Sequence, residues 1–290
     1  MTDPTPTTPI PSDSPAPDPD TTPKPPRRPK KKSKPPRPQK THFVGIPLHH
    51  APGLQSTLDT FRSDPLVSAL NLHANAFRPA AALHLTIGVM SLTTPEQLES
   101  ATNLLHSLDL QKLLQESSAD PADAAPLNID LAGLATFGGP RATVLYAVPR
   151  DATGRLQAFA ENVYAKFSAA ELLEPLREPL QLHATIVNTT YVPGRKVLKV
   201  DWSDGLAEER VGKMMFAESV DVGSVGIFKM GALPKDGVKG AGGYQCVAEK
   251  IIGETMEGKG AEEKVEEKTG GDAPTTGLAK KVLSEVAERI

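Results

Sequence analysis

Hydrophobic and polar positions alternate in the same way at two places in this chain. Leu83-His84-Leu85-Thr86-Ile87 and Leu182-His183-Ala184-Thr185-Ile186 both run apolar, His, apolar, Thr, apolar. Successive side chains of a strand point to opposite faces, so each string puts a histidine and a threonine on one face and three apolar residues on the other. Strands are predicted over 42–48, 83–90, 127–135, 142–148, 181–188, 219–228 and 243–251, where apolar runs end at Gly, Pro or polar clusters. Helical spacing predicts helices over 54–61, after Thr94, and through Leu156, Phe159, Val163 and Phe167. Thr94-Pro95-Glu96-Gln97 reads as a capping box with Pro at the first helical position, leading into Leu98, Ala101, Leu105 and Leu108. Residues 136–141 read as the connection of a hairpin, and 117–126 as a loop. The order of elements predicts an α+β fold of two similar lobes, with no parallel βαβ sheet.

Composition divides the chain. Residues 1–40 hold 14 of the 28 prolines and almost no large apolar side chains, so a disordered tail is expected there. Lys24 to Lys40 carries nine Lys and Arg and no acid, against four aspartates earlier. The tail is thus near +5 and the remainder near −8 of the total −3. The body is expected over 41–253, an acidic, Gly-rich linker over 254–276, and an amphipathic helix over 277–290 with Leu278, Val282, Leu283, Val286 and Ile290 on one side. A single cysteine, Cys246, excludes an internal disulfide and points to a reducing compartment. No apolar run approaches the roughly 20 residues of a membrane span, and no secretory signal stands at the N-terminus. The expectation is an intracellular protein, nuclear and/or cytoplasmic, without membrane association.

The paired strings carry the chemistry. Breaking a phosphodiester takes a base for the attacking hydroxyl and an acid for the leaving oxygen. Histidine, with an ordinary pKa of about 6.5, serves in either role. A threonine two residues along can donate its hydroxyl to a phosphate oxygen. His84 and His183 are therefore candidate acid–base groups, and Thr86 and Thr185 candidate phosphate ligands. This scheme needs no metal and no cofactor. A lone strand histidine is ordinarily structural; two matched strings make the functional reading the stronger one.

The strings resemble the 2H phosphoesterase superfamily, which includes the 2′,5′ RNA ligase-like proteins. With THFVGIPL at 41–48, LHLTIGVMSL at 83–92, TFGGPR at 136–141, LHATIVNT at 182–189 and GYQCVAEKII at 243–252, the body is most similar to the A-kinase anchoring protein 7-like phosphoesterase domain, also found in activating signal cointegrator 1 complex subunit 1. The resemblance implies a bilobal fold, two pseudo-symmetric lobes of antiparallel sheet plus helices around a central cleft. It implies His84 and His183 as the catalytic pair, Thr86 and Thr185 as the phosphate ligands, and a 2′,5′- or 3′,5′-linked oligonucleotide, a nucleotide or a cyclic phosphate as the substrate. Some members only bind nucleotides, so a non-catalytic nucleotide or RNA-binding scaffold is the alternative. The cointegrator subunit carries a KH domain ahead of this one, where this chain has its Pro-rich basic tail.

Other signals are weaker. Phe43, Phe137, Tyr191 and Tyr244 lie nearest the motifs and are candidates for stacking on a base; core packing is the competing reading. The run from Lys24 to Lys40 suits nonspecific nucleic-acid contact or nuclear import, and equally a solvated tail. His49 and His50 lack the spaced partners of a metal site. The terminal helix resembles, weakly, a kinase-anchoring helix and would offer a protein partner one apolar side.

Overall fold

The computed structural model describes residues 39–120, 125–176, 178–192, 198–231 and 242–253. Apart from Gln39 and Lys40, the expected tail lies outside the described residues, as do the linker over 254–276 and the terminal helix. In chain order the elements are β1 (His42–Pro47), α1 (Leu54–Ser63), α2 (Pro65–Ser68), β2 (His84–Met90), α3 (Pro95–Ser107), α4 (Leu110–Gln115), β3 (Asn128–Thr136), β4 (Arg141–Ala142) and β5 (Val144–Arg150). There follow α5 (Arg155–Ala169), β6 (Ala184–Asn188), β7 (Val200–Asp201), α6 (Ser203–Ala207), α7 (Glu209–Gly212), β8 (Met215–Asp221), β9 (Ser224–Lys229) and β10 (Gln245–Ile251).

Eight strands form one antiparallel sheet in the order β10-β9-β1-β2-β6-β5-β3-β8, and β4 pairs with β7 apart from it. The two strands that bear the His–Thr strings are thus neighbours at the centre. Four strands lie to one side of the seam between them and four to the other. The two expected lobes are the halves of one continuous sheet. Across the seam a single residue pair, Leu85 with Ala184, belongs to the ladder.

Leu85, Ile87, Ala184 and Ile186 are buried in the same core as Phe159, Val163 and Phe167 of α5, which packs on β2. Each large side chain among them contributes on the order of 1.5–3 kcal/mol by leaving water. With this face committed to the core, the opposite one must carry the polar residues, since a one-residue slip would bury them all.

Each motif strand contains a β-bulge at the same place. Between β1 and β2 the register passes from Val44↔Gly88 to Gly45↔Thr86, leaving Ile87 as the extra residue. Between β5 and β6 it passes from Leu145↔Val187 to Tyr146↔Thr185, leaving Ile186 extra. Residues 84–90 and 183–189 accordingly share one burial sequence, half-buried and buried in alternation until two buried residues stand together at the bulge.

The capping box forms as expected: Thr94 accepts from the Gln97 amide, and the Gln97 side chain accepts from the Thr94 amide. Two expectations need correction. The strand read over 219–228 is two antiparallel-sheet strands, β8 and β9, separated by Val222 and Gly223; β8 is one edge of the sheet and β9 lies next to the other edge strand, β10. The strand read over 142–148 begins at Val144, because Arg141 and Ala142 pair with β7 instead.

Candidate active site between two matched strands

The register sets the arrangement of the four motif side chains. Leu85 pairs with Ala184 on the core face. One step to either side in antiparallel register, His84 comes opposite Thr185 and Thr86 opposite His183. The four form a square on the polar face, with the histidines on one diagonal; diagonal neighbours in an ideal ladder are about 7–8 Å apart. That spacing admits a phosphate between two imidazoles. The structure thus brings together His84, Thr86, His183 and Thr185, all half-buried, from strings 99 residues apart.

The two imidazoles are held alike. His84 Nδ1 lies 2.9 Å from the Ala82 carbonyl oxygen, and His183 Nδ1 lies 2.8 Å from that of Gln181. A carbonyl can only accept, so Nδ1 carries the proton in both rings and Nε2 keeps its lone pair in the neutral form. Neither Nε2 makes a hydrogen bond within the described residues, and neither do the hydroxyls of Thr86 and Thr185.

Aromatic rings enclose each histidine. Phe43 stacks on His84 with centroids 4.4 Å apart, and Tyr244 meets the same ring edge-on at 5.0 Å. On the other side, Phe137 meets His183 edge-on at 4.9 Å and Tyr146 lies 5.3 Å away. Burial among these rings disfavours the charged imidazolium. His84 is driven down to about 4, chiefly by burial, with smaller contributions from the positive charges of Arg78 and His183 set against the Ala82 hydrogen bond. His183 is lowered too, again by burial, against the Gln181 hydrogen bond.

The four aromatic candidates separate. Phe43 is 3% exposed and stacks on both His84 and Phe228, so its ring supports His84 and offers no surface to a base. Tyr244, half-buried, helps line a cavity of about 300 Å³ with Phe43, Ala82, Leu83, His84 and Phe228. Phe137 and Tyr191 stand 43% and 48% exposed, from the two ends of the second half's motif region. Phe137 rides on the turn after β3, which the Thr136 hydroxyl closes by donating to the Gly139 carbonyl at 2.6 Å.

Three residues beside the motif histidines went unnoticed in the sequence. Tyr146, on β5 beside Thr185, accepts a 2.9 Å hydrogen bond from the Gln181 side chain, whose own main-chain carbonyl holds His183. Knowing which strand neighbours β6 would have revealed Tyr146. Gly243 lies so near the Ala81 carbonyl that an added Cβ would stand 2.6 Å from its oxygen, an approach only glycine permits, and this brings Tyr244 beside His84. Arg78 is almost fully buried, six residues before His84. An arginine inside an Ala-rich run was its signal. Among the described residues no three His, Cys, Asp or Glu side chains gather as metal ligands would; His50 Nε2 is 2.9 Å from the Asp221 carbonyl oxygen.

The sequence profile of the AKAP7 2′5′ RNA ligase-like domain matches residues 40–230. The chain belongs to that family. Membership places it in the RNA ligase-like, 2H phosphoesterase superfamily. Mouse (Mus musculus) activating signal cointegrator 1 complex subunit 1 is 29% identical over 117 residues, covering 39% of this chain and 32% of that protein. The chain therefore spans about a third of the length of this curated relative. A solved structure described as a phosphoesterase has 13% identity and a TM-score of 0.43, covering 73% of this chain and 98% of its own. LigT of E. coli in complex with 3′-AMP has 15% identity and a TM-score of 0.41, covering 74% and 99%. A protein of Thermus thermophilus has 18% identity and a TM-score of 0.44, covering 73% and 97%. Among the described residues of this AKAP7-like chain no helix is long and apolar enough to cross a membrane.

Proposed function

We propose that this AKAP7-like domain is a phosphodiesterase that cleaves an RNA, oligonucleotide or cyclic nucleotide phosphodiester by two-histidine acid–base catalysis, without a metal. The observation that carries the reading is the square of His84, Thr86, His183 and Thr185, with both Nδ1 protons tied to main-chain carbonyls. Each Nε2 then faces the substrate. One takes the proton of the attacking hydroxyl or water, and the other, protonated, gives its proton to the leaving oxygen. The two threonine hydroxyls donate to the non-bridging oxygens, where negative charge builds up. Phe137 and Tyr191 are the exposed rings on which bases would stack.

The test is incubation with a panel of 2′,5′ and 3′,5′ oligonucleotides and 2′,3′-cyclic phosphates, read by mass spectrometry, with and without EDTA. Product that persists in EDTA and is lost in both His84→Ala and His183→Ala supports the proposal. Product in the double histidine variant refutes it, and loss of product on chelation refutes the metal-free mechanism.

One observation favours a second reading, a non-catalytic nucleotide-binding module. Burial lowers both histidines and so disfavours, in the free protein, the protonated form that would serve as the acid. Binding of AMP by calorimetry without turnover of any panel member would support the module. A nuclear site of action would follow from the run within Lys24 to Lys40; imaging of a variant lacking it checks that. Kinase anchoring by the helix expected over 277–290 would be read in the intact chain by pull-down of a protein kinase A regulatory subunit.

A further inference from the structure

We propose that Arg78 is the fixed cation of an anion subsite at the seam, and that it holds the substrate phosphate beside His84. This rests on reading the His–Thr face as a phosphate site. Arg78 is 6% exposed, yet among the described residues its guanidinium meets no carboxylate. Its one side-chain hydrogen bond is long, from Nη2 to the Tyr244 hydroxyl at 3.3 Å. Its other contacts are ring faces, Tyr191 at 4.6 Å and Tyr244 at 5.8 Å from the guanidinium carbon. A guanidinium presents five N–H donors in a planar fork that matches phosphate, and here only one is engaged. Burying a charge without a counter-ion is unfavourable, so the fold retains a penalty that an incoming anion would relieve.

The position fits that role better than a packing role. The Arg78 amide donates to the Ile186 carbonyl at 2.8 Å, and Phe77 bridges to Val187, so the segment leading to β2 is fastened to the bulge of β6. Arg78 thus sits where the two motif strands meet, six residues before His84 in the chain. Tyr191 follows β6, while Tyr244 precedes β10, so one ring from each half clasps the cation. The Arg78 charge is felt at His84, where it adds to the downward shift of the imidazole. A phosphate set between the two would neutralise that charge and let His84 take up a proton. The residue therefore selects ligands whose phosphate oxygens carry at least one full negative charge, and binding prepares His84.

Inorganic phosphate and 3′-AMP, titrated into the full-length protein by calorimetry, supply the direct test. Arg78→Met is expected to weaken both by at least about tenfold, the loss of a charge-assisted hydrogen bond. Arg78→Lys, which keeps the charge and loses the fork, is expected to fall in between. In the wild type, saturating phosphate should also raise the His84 titration midpoint in an NMR pH series, and Arg78→Met should abolish that rise. Wild-type phosphate affinity in a folded Arg78→Met protein overturns the inference and leaves Arg78 as packing for two tyrosines. Should Arg78→Met fail to fold, wild-type affinity in Arg78→Lys together with an unmoved His84 midpoint overturns it equally. Turnover enters none of these readings, so a domain that binds phosphate through Arg78 but cleaves nothing would refute the proposed enzyme and sustain this inference.

Discussion

Ile87 and Ile186 hold the same place in the two halves: each is the unpaired residue of a bulge, one step after a motif threonine, and each is fully buried. A bulge sets two neighbouring residues against the core, Ile87 with Gly88 and Ile186 with Val187, so the His–Thr face ends sharply at Thr86 and at Thr185. Truncating either isoleucine to Ala should lower stability by about 2–5 kcal/mol, and to Val by about 0.5–1.5 kcal/mol. Urea unfolding followed by circular dichroism measures both, and a near-zero cost at one position would break the equivalence.

The threonines should behave as a pair. On the proposed mechanism Thr86→Ala and Thr185→Ala would each remove one donor to the phosphate, and each should lower kcat/KM by about tenfold to a hundredfold with little change in melting temperature. Steady-state kinetics on whichever panel substrate turns over decides this. Thr→Ser, which keeps the hydroxyl, should recover most of the loss.

Activity should respond to pH on the acid side. The proposed mechanism needs a neutral base and a protonated acid, so the free protein would be competent between the two apparent values of the coupled pair. Both histidines are lowered, His84 to about 4, and kcat/KM should therefore peak below pH 6.5. A phosphate bound between them, as proposed, would favour the protonated form of both groups, so the profile of kcat should lie at higher pH than that of kcat/KM. Coincident profiles would count against charge coupling to the ligand.

Stability should carry the mark of the same burial. A folded pKa of about 4 against 6.5 in the unfolded chain means that the unfolded state binds more protons between those values. The contribution is complete above pH 6.5 and is lost as the pH falls towards 4, on the order of 3 kcal/mol in all. Between pH 7 and 4.5 the unfolding free energy of the wild type should fall more steeply than that of His84→Gln, measured by urea unfolding at fixed pH steps.

Gly45 tests the closeness of β1 and β2. A Cβ there would stand 2.6 Å from the Leu85 carbonyl oxygen, a clash with main chain that cannot turn aside. Gly45→Ala should cost at least about 2 kcal/mol, and because Phe43 on the same strand stacks on His84, the His84 midpoint should shift as well. A variant of wild-type stability would show that the strands separate freely.

Local chemistry was the legible part of this chain. The capping box at Thr94 and Gln97 and the alternation that exposes His84 and Thr86 depend on residues a few positions apart, and both stand as read. The bulges were hidden because Ile87-Gly88-Val89 is an apolar run whichever way the strand turns. β8 and β9 fused into one strand because Val220, Val222 and Val225 keep the apolar pattern through the break at Gly223. Six-residue α4 was passed over, although Asp109 caps it and Leu110, Leu113 and Leu114 bury it. The meeting of β2 with β6, and hence the square of side chains, is a contact across 99 residues that no local pattern encodes.

The seam has a mechanical consequence. Each imidazole is tethered to a carbonyl two residues back in its own half, while the halves join through one ladder pair, the Phe77–Arg78 strap and the packing of α5 and the segment after it on β2. Flexing along that line would widen or narrow the gap between the two Nε2 atoms and leave both tautomers untouched. A sheet that flexed there would act as a calliper whose jaws keep their chemistry at every setting, making the size of a bound group a separate variable from the reactivity of the groups that hold it.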